Sequence, residues 1–292
     1  MSGITVLSGN RAKEGKRTPM TRARSVCVRL ALASVSTIAL TAAARAQSPV
    51  YNWTGFYVGA NAGGTWGRAS TQHAINCNVP FFTAAVCSSS PANTALGNAV
   101  AANMGGAFTG SGLTFGGQLG YNWQVGLAVF GLEADGGYFN FNASRTVSGP
   151  ATYRGDPTKT YVATSSVDSD FLFTFRGRSG ATFGNLLAYA TGGLAVTRLN
   201  VGHTFSDNTI IPNSGTWGSS STRVGWTIGG GLEYALGNNW SVKAEYLYLN
   251  FGKVTSTGAI TGSVPPIGYS NAISTTTDVT AHTARAGINF KF

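Results

Sequence analysis

Charge is scarce in this sequence: Asp, Glu, Lys and Arg make up 10% of its 292 residues. Long apolar runs are scarcer. Outside the N-terminus no stretch holds the ~20 continuous apolar residues of a membrane helix, which excludes a helical membrane bundle. There are three cysteines and three histidines. No G-x-x-x-x-G-K-[ST] loop and no H-E-x-x-H occurs, so phosphate-loop and zincin chemistry have no anchor. A basic balance of +10 would ordinarily invite a nucleic-acid reading. Here it misleads, because residues 1–46 carry eight of the 20 basic residues and one of the 10 acids, leaving a remainder near +3. No nucleic-acid partner is expected.

Residues 1–46 read as a secretory signal peptide. Arg22, Arg24 and Arg29 precede an apolar Leu30–Ala43, and Ala44-Arg45-Ala46 is an A-x-A cleavage site before Gln47. The basic region is too long when counted from Met1, so Met20 is read as the start and residues 1–19 as an extension. Export removes Cys27 and leaves Cys77 and Cys87, an even pair in an oxidising compartment, predicted to form a disulfide. Two thiols with the nearby His73 fall short of a metal site, and none is expected.

What the sequence has in quantity is glycine, 40 residues, and alternation. In His282–Phe292, Ala284, Ala286, Ile288, Phe290 and Phe292 alternate with Thr283, Arg285, Gly287, Asn289 and Lys291. A period of two is a strand with one apolar and one polar face. Ending on an aromatic is odd for a soluble edge strand. It suits a closed membrane barrel whose apolar face meets lipid and whose last strand pairs with the first. A final strand ending in Phe resembles the assembly signal of Gram-negative outer-membrane proteins, and this resemblance implies that Phe290 and Phe292 are read by the barrel assembly machinery.

Seven further segments alternate in the same way: Trp53–Trp66, Leu113–Trp123, Leu127–Phe139, Asp170–Phe183, Leu186–Leu199, Arg223–Leu236 and Trp240–Asn250. Trp53 is placed in an interfacial aromatic girdle. Tight turns are expected at Gln124–Gly126, Gly184-Asn185 and Gly237-Asn238-Asn239. Long polar loops are expected at Gly67–Gly112, Asn140–Ser169, Asn200–Thr222 and Gly252–Ala281, with Gly149-Pro150 and Asp156-Pro157 as turn punctuation in the second and Pro265-Pro266 in the fourth. Gly-Gly-x-Leu-x-Tyr occurs at Gly116–Tyr121 and again at Gly229–Tyr234. Strict alternation of short and long connections over eight strands predicts an all-β, eight-stranded, antiparallel up-and-down transmembrane β-barrel in residues 47–292, with four long extracellular loops and short periplasmic turns.

Several of these segments resemble a known family. Trp53-Thr54-Gly55-Phe56-Tyr57-Val58-Gly59, Gly131-Leu132-Glu133-Ala134-Asp135 and Arg176-Gly177-Arg178 are similar to strands of the small outer-membrane β-barrel proteins of alphaproteobacteria, the outer-membrane immunogenic or "porin family" proteins. So are Tyr189-Ala190-Thr191-Gly192-Gly193, Lys243–Tyr248 and Arg285–Phe290. The likeness covers every strand and none of the loops. Ser179 departs from the apolar residue more usual after Arg-Gly-Arg, and the cysteine pair is not a family motif. The resemblance implies an abundant, surface-exposed outer-membrane barrel with an envelope-integrity or pore role, and some such proteins are described as haem-binding.

The face opposite the lipid carries Glu133, Asp135, Glu233 and Glu245 against Arg176, Arg178, Lys243, Arg285 and Lys291. Charges held away from bulk water must be paired, so these nine are predicted to form an ion-pair network filling a narrow lumen. Gly59, Gly116, Gly193 and Gly229 are expected to leave room for the long side chains. Glu133 and Asp135 resemble an acid/base pair on paper but are read as salt-bridged, and no catalytic residue is assigned. His73, His203 and His282 fall in or beside loops, with no spacing that brings them together for a cofactor, so none is expected. The reading is a structural, surface-exposed barrel whose partners are outer-membrane lipid, lipopolysaccharide and the assembly machinery. A narrow porin for small solutes is the alternative, and ligand binding by the loops a distant third.

Overall fold

The computed structural model describes residues 51–78, 86–151, 158–264 and 267–292. The signal peptide with its cleavage site, the Asp156-Pro157 turn and Pro265-Pro266 lie outside them. Eight antiparallel strands close into a barrel in sequence order. They are β1 (Gly55–Ile75), β2 (Gly106–Val125), β3 (Ala128–Pro150), β4 (Thr160–Phe183), β5 (Leu186–Asp207), β6 (Ser214–Gly237), β7 (Trp240–Val264) and β8 (Ile267–Lys291). One helix, α1 (Pro91–Met104), lies between β1 and β2. β1 pairs with β8 from Tyr57↔Lys291 to Ile75↔Ile273, which closes the ring; β6 and β7 pair continuously from Trp226↔Asn250 toward their short turn and only at Ser214↔Thr261 above it.

The strands are 20 to 25 residues long, about twice the ~9–11 that cross a bilayer. This corrects the expected loops. Most of Asn140–Ser169, Asn200–Thr222 and Gly252–Ala281 is strand, as are the two ends of Gly67–Gly112. Among the described residues, the β1–β2 connection is the one that carries a helix, α1, and a disulfide, Cys77–Cys87. At the other end, Gly126, Gly184 and the pair Asn238 and Asn239 turn the chain with positive φ, the geometry tight hairpins require.

The side-chain pattern changes along each strand. Near the short turns the apolar residues point outward: Phe56, Leu119, Phe130, Leu132, Phe173, Phe175, Leu194, Ile228 and Ile288 are exposed. Further up, the phase of hydrophobicity inverts. On β5, Leu199, Val201 and Phe205 point inward, while Arg198, Asn200 and Thr204 face out. Phe139 and Phe141 on β3, Leu249 and Phe251 on β7, and Val279 and Ala281 on β8 do the same. The lower half is thus built for a lipid surround and the upper half for water. On β1 the apolar outer face runs eleven residues, Phe56 to Trp66, matching one bilayer crossing. Aromatic residues mark both limits: Phe56, Tyr121, Trp123, Trp240 and Phe290 below, and Trp66, Tyr138, Trp226, Tyr246 and Tyr248 above.

Candidate functional site: the barrel lumen

The interior is filled in tiers. At the short-turn end Trp53, Val129, Leu187, Tyr189 and Ala235 form an apolar floor with Tyr51. Trp53 is only 2% exposed, so it packs into this floor and does not join the outer girdle; its amide N–H donates to Gln124 Oε1.

Above the floor lie the charges. The register sets acid opposite base on neighbouring strands: Glu133 on β3 faces Arg176 on β4, Glu233 on β6 faces Lys243 on β7, and Glu245 on β7 faces Arg285 on β8. The side chains then reach across the lumen. Arg176 Nη2 pairs with Glu133 and, at 2.7 Å, with Asp135 Oδ2. Its Nη1 lies 3.0 Å from Glu245 Oε1, an ion pair without hydrogen-bond alignment. Lys243 Nζ donates to both Glu133 oxygens at 3.0 Å, passing over its own register partner. Glu233 instead accepts from Arg178 Nη2 at 2.7 Å, from Ser241 at 2.6 Å and from Asn289 at 2.8 Å. Arg285 bridges Asp135 at 2.8 Å and Glu245 at 2.7 Å. Every member is at most 5% exposed. Tyr57 and Tyr189 donate to Glu133 and Glu245, and the Arg178 guanidinium lies 4.0 Å from the centre of the Tyr189 ring.

One residue of the expected nine is elsewhere. Lys291 donates to the Asn52 carbonyl and sits over the Tyr51 ring at the rim, because β8 has by then reached the open short-turn end. The network that remains has four acids and four bases. Of the glycines expected to make room, Gly116, Gly193 and Gly229 would bring a Cβ against a neighbouring strand's backbone carbonyl, so they serve close strand approach. Gly59 does make room, since a Cβ there would meet the Asn289 side chain that donates to Glu233, and further space comes at Gly120 and Gly231, where a Cβ would collide with the Tyr57 and Tyr189 hydroxyls.

A second apolar tier covers the charges, with Phe108, Phe139, Phe141, Leu172, Leu199 and Phe251 among its residues. Above it lies a small polar tier that the sequence reading missed. His73 and His203 point inward from β1 and β5 with ring centroids 5.3 Å apart, against Trp217. Their Nδ1 atoms meet Thr275 Oγ1 at 2.8 Å and Ser165 Oγ at 2.9 Å. Burial, with the Arg145 charge second, pushes His73 down to about 4; burial and the neighbouring His73 do the same to His203. Both lie beyond the lipid-facing belt, since the outward residues beside them, Gln72 and Ala74 on β1 and Gly202 and Thr204 on β5, are polar or small. The exposed-loop expectation therefore fails for this pair. The inward alternation Leu199-x-Val201-x-His203-x-Phe205 was the signal that placed His203 inside. His282 is on the outer wall, stacked on Trp66 at 5.8 Å. Among the described residues no group of three or more His, Cys, Asp or Glu is placed to hold a metal. The top tier packs Val100, Ala101 and Met104 of α1 and the Cys77–Cys87 bridge against Ile75, Phe205, Trp217 and Ile273.

Phe292 is 71% exposed; its N–H donates to the Phe56 carbonyl at 2.9 Å, and its ring packs edge-on against Phe290 at 5.4 Å.

A closed eight-stranded barrel with a lipid-facing apolar belt, aromatic limits and an inward polar face is a transmembrane barrel of the Gram-negative outer membrane. The chain belongs to the outer membrane protein beta-barrel domain family, whose model matches residues 30–292. It is 30% identical over 244 residues to the 31 kDa outer-membrane immunogenic protein of Brucella melitensis, covering 83% of this chain and 85% of that protein. It is 34% identical over 139 residues to a 22 kDa outer membrane protein of Rhizobium leguminosarum, covering 47% and 53%. Among solved structures, the outer membrane protein OprG from Pseudomonas aeruginosa aligns over 82% of this chain and 98% of its own, at 11% identity and a TM-score of 0.40. At those values the likeness adds nothing to the topology already described.

Proposed function

We propose that this protein is a non-enzymatic, essentially non-conducting barrel that stiffens the outer membrane and presents its long hairpins at the cell surface. The observation that carries the reading is the tiered interior. An apolar floor, an eight-residue ion-pair network and an apolar cluster follow one another across the same lumen. Conduction needs a continuous hydrated path. An interior of ~8 strands is just wide enough for side chains to fill, whereas water-filled porin channels need about 16–18 strands. The short turns, the start of β1 and the end of β8 then face the periplasm, and α1 with its disulfide faces outward. The Brucella relative's name, an outer-membrane immunogenic protein, agrees with surface exposure. The assembly machinery would read Phe290 and Phe292 at the end of β8, and outer-membrane lipid with lipopolysaccharide would surround the belt. A liposome-swelling assay with small uncharged sugars tests the reading. The expected result is swelling no faster than in protein-free liposomes; fast, size-graded swelling makes the protein a narrow porin instead.

A further inference from the structure

The outer wall above the aromatic limit is not uniform. On β1, β8 and β7 the outward residues form cross-strand rows. Trp66, His282 and Tyr248 make the last aromatic row, the next is Arg68, Thr280 and Asn250, and the next is Ser70, Asp278 and Lys253. The two polar rows line a groove of about 360 Å³. A step of two residues along a strand is roughly 7 Å, so both cations sit within about 14 Å of the aromatic row. Neither Arg68 nor Lys253 has a hydrogen-bond or ion-pair partner among the described residues. Elsewhere on the outer wall Arg198 is held by Ser220, and Asp168 accepts from Asn200.

Lys253 reaches the outer face through a built irregularity. Thr280 pairs with Asn250, and regular alternation would set Gly252 opposite Asp278 and turn Lys253 into the lumen. A β-bulge between Asn250 and Lys253 inserts one residue and sets Lys253 opposite Asp278. Gly252 takes φ +67 at this bulge, and its N–H donates to Asn250 Oδ1 at 2.9 Å. The bulge therefore moves a cation from the lumen to the lipid headgroup level.

We propose that the Arg68–Lys253 groove binds the phosphorylated glycolipid of the outer leaflet, lipopolysaccharide, through a headgroup phosphate. The assignment rests on the orientation given under Proposed function, which puts the long hairpins outside. A guanidinium and an ammonium over a lipid-facing aromatic row match a phosphate at the top of acyl chains, and charge-assisted hydrogen bonds to phosphate are the strong kind. Asp278 lies between them and leaves a net charge of one, so it limits affinity and favours a single phosphate.

The test uses the refolded barrel in detergent with three probes: lipopolysaccharide, its dephosphorylated form, and inorganic phosphate. Lipopolysaccharide should bind wild type and raise its melting temperature. The dephosphorylated lipid should bind about tenfold more weakly, the loss of one charge-assisted contact, and inorganic phosphate should not reproduce the shift. Arg68→Gln with Lys253→Gln should weaken lipopolysaccharide binding by at least about tenfold, and Asp278→Asn should strengthen it. Equal binding by wild type and the double variant overturns the proposal, as does indifference to dephosphorylation. A full shift with inorganic phosphate overturns the lipid assignment. Should the double variant not fold, salt titration of wild type decides: binding to this exposed pair must weaken steeply with salt, and salt-independent binding counts against it. A folded, non-conducting barrel that ignores lipopolysaccharide would refute this groove alone and leave the closed-lumen reading standing.

Discussion

Arg176→Ala probes the lumen most sharply. Arg176 is fully buried and contacts Glu133, Asp135 and Glu245, with its Nε donating to Thr174 at 2.9 Å. Its removal leaves four carboxylates facing three bases in a space water enters poorly. Removing one partner of a buried ion pair costs about 3–5 kcal/mol. At ~2–4 °C per kcal/mol for a domain of this size, that lowers the melting temperature by on the order of 10 °C. Lys253→Ala is the control. It removes an exposed charge from the outer wall of β7, not from a loop as the sequence implied, and in lipopolysaccharide-free detergent it should change stability by less than ~0.5 kcal/mol. Circular-dichroism melts and heat-modifiable gel migration of refolded protein provide the readout. Adding Glu133→Gln to Arg176→Met should recover part of the loss, because the coupling of contacting charges is ~0.5–3 kcal/mol. An Arg176→Ala melt no lower than the Lys253→Ala melt would refute the claim that the network holds the barrel together.

The remaining predictions concern the two ends of the barrel. Thiol labelling of unreduced protein should find neither Cys77 nor Cys87, and reduction should destabilise the α1 connection by ~2–3 kcal/mol without melting β1–β8; full labelling of both cysteines would show the bridge does not form. Deleting Phe292 or replacing it with Asp should lower the yield of heat-modifiable barrel in the outer membrane while leaving export unaffected, and a normal yield would count against the assembly role. For the histidine tier, the folded-state values near 4 lie below the ordinary 6.5, so the unfolded chain binds more protons between them. The stabilising effect of the neutral pair is therefore whole above about pH 6.5, falls as pH drops toward 4, and levels off below that. Urea unfolding across this range should show wild type losing stability relative to the His73→Gln, His203→Gln variant; parallel curves would contradict it.

The lower barrel was legible because lipid on one side and charge on the other give maximal contrast. Phe171, Phe173 and Phe175 against Thr174, Arg176 and Arg178 admit a single phase. Above the belt the contrast fades, since both faces of a strand such as Ser214–Thr222 carry Ser, Thr and Gly. A polar outer face over an inward Trp217 then reads as loop. The inverted alternation of β5 was present in the sequence, but a fixed rule of apolar-out made it invisible. Helix α1 was hidden for another reason: its apolar residues make no clear stripe, although Ser90-Pro91 before an alanine-rich run is a start signal. Within the lumen the participants could be read and their pairings could not. Lys243 passes over the adjacent Glu233 to reach Glu133 because the shape of the closed barrel, which no strand contains alone, decides which charges meet.

Planar-bilayer recording of the refolded wild-type barrel tests the closed-lumen account most directly. The account predicts a flat trace or rare, small openings, with leak currents rising in Arg176→Ala. Large, steady, porin-like steps from wild type would contradict it, because such currents need a water-filled path through the residues that fill the lumen here.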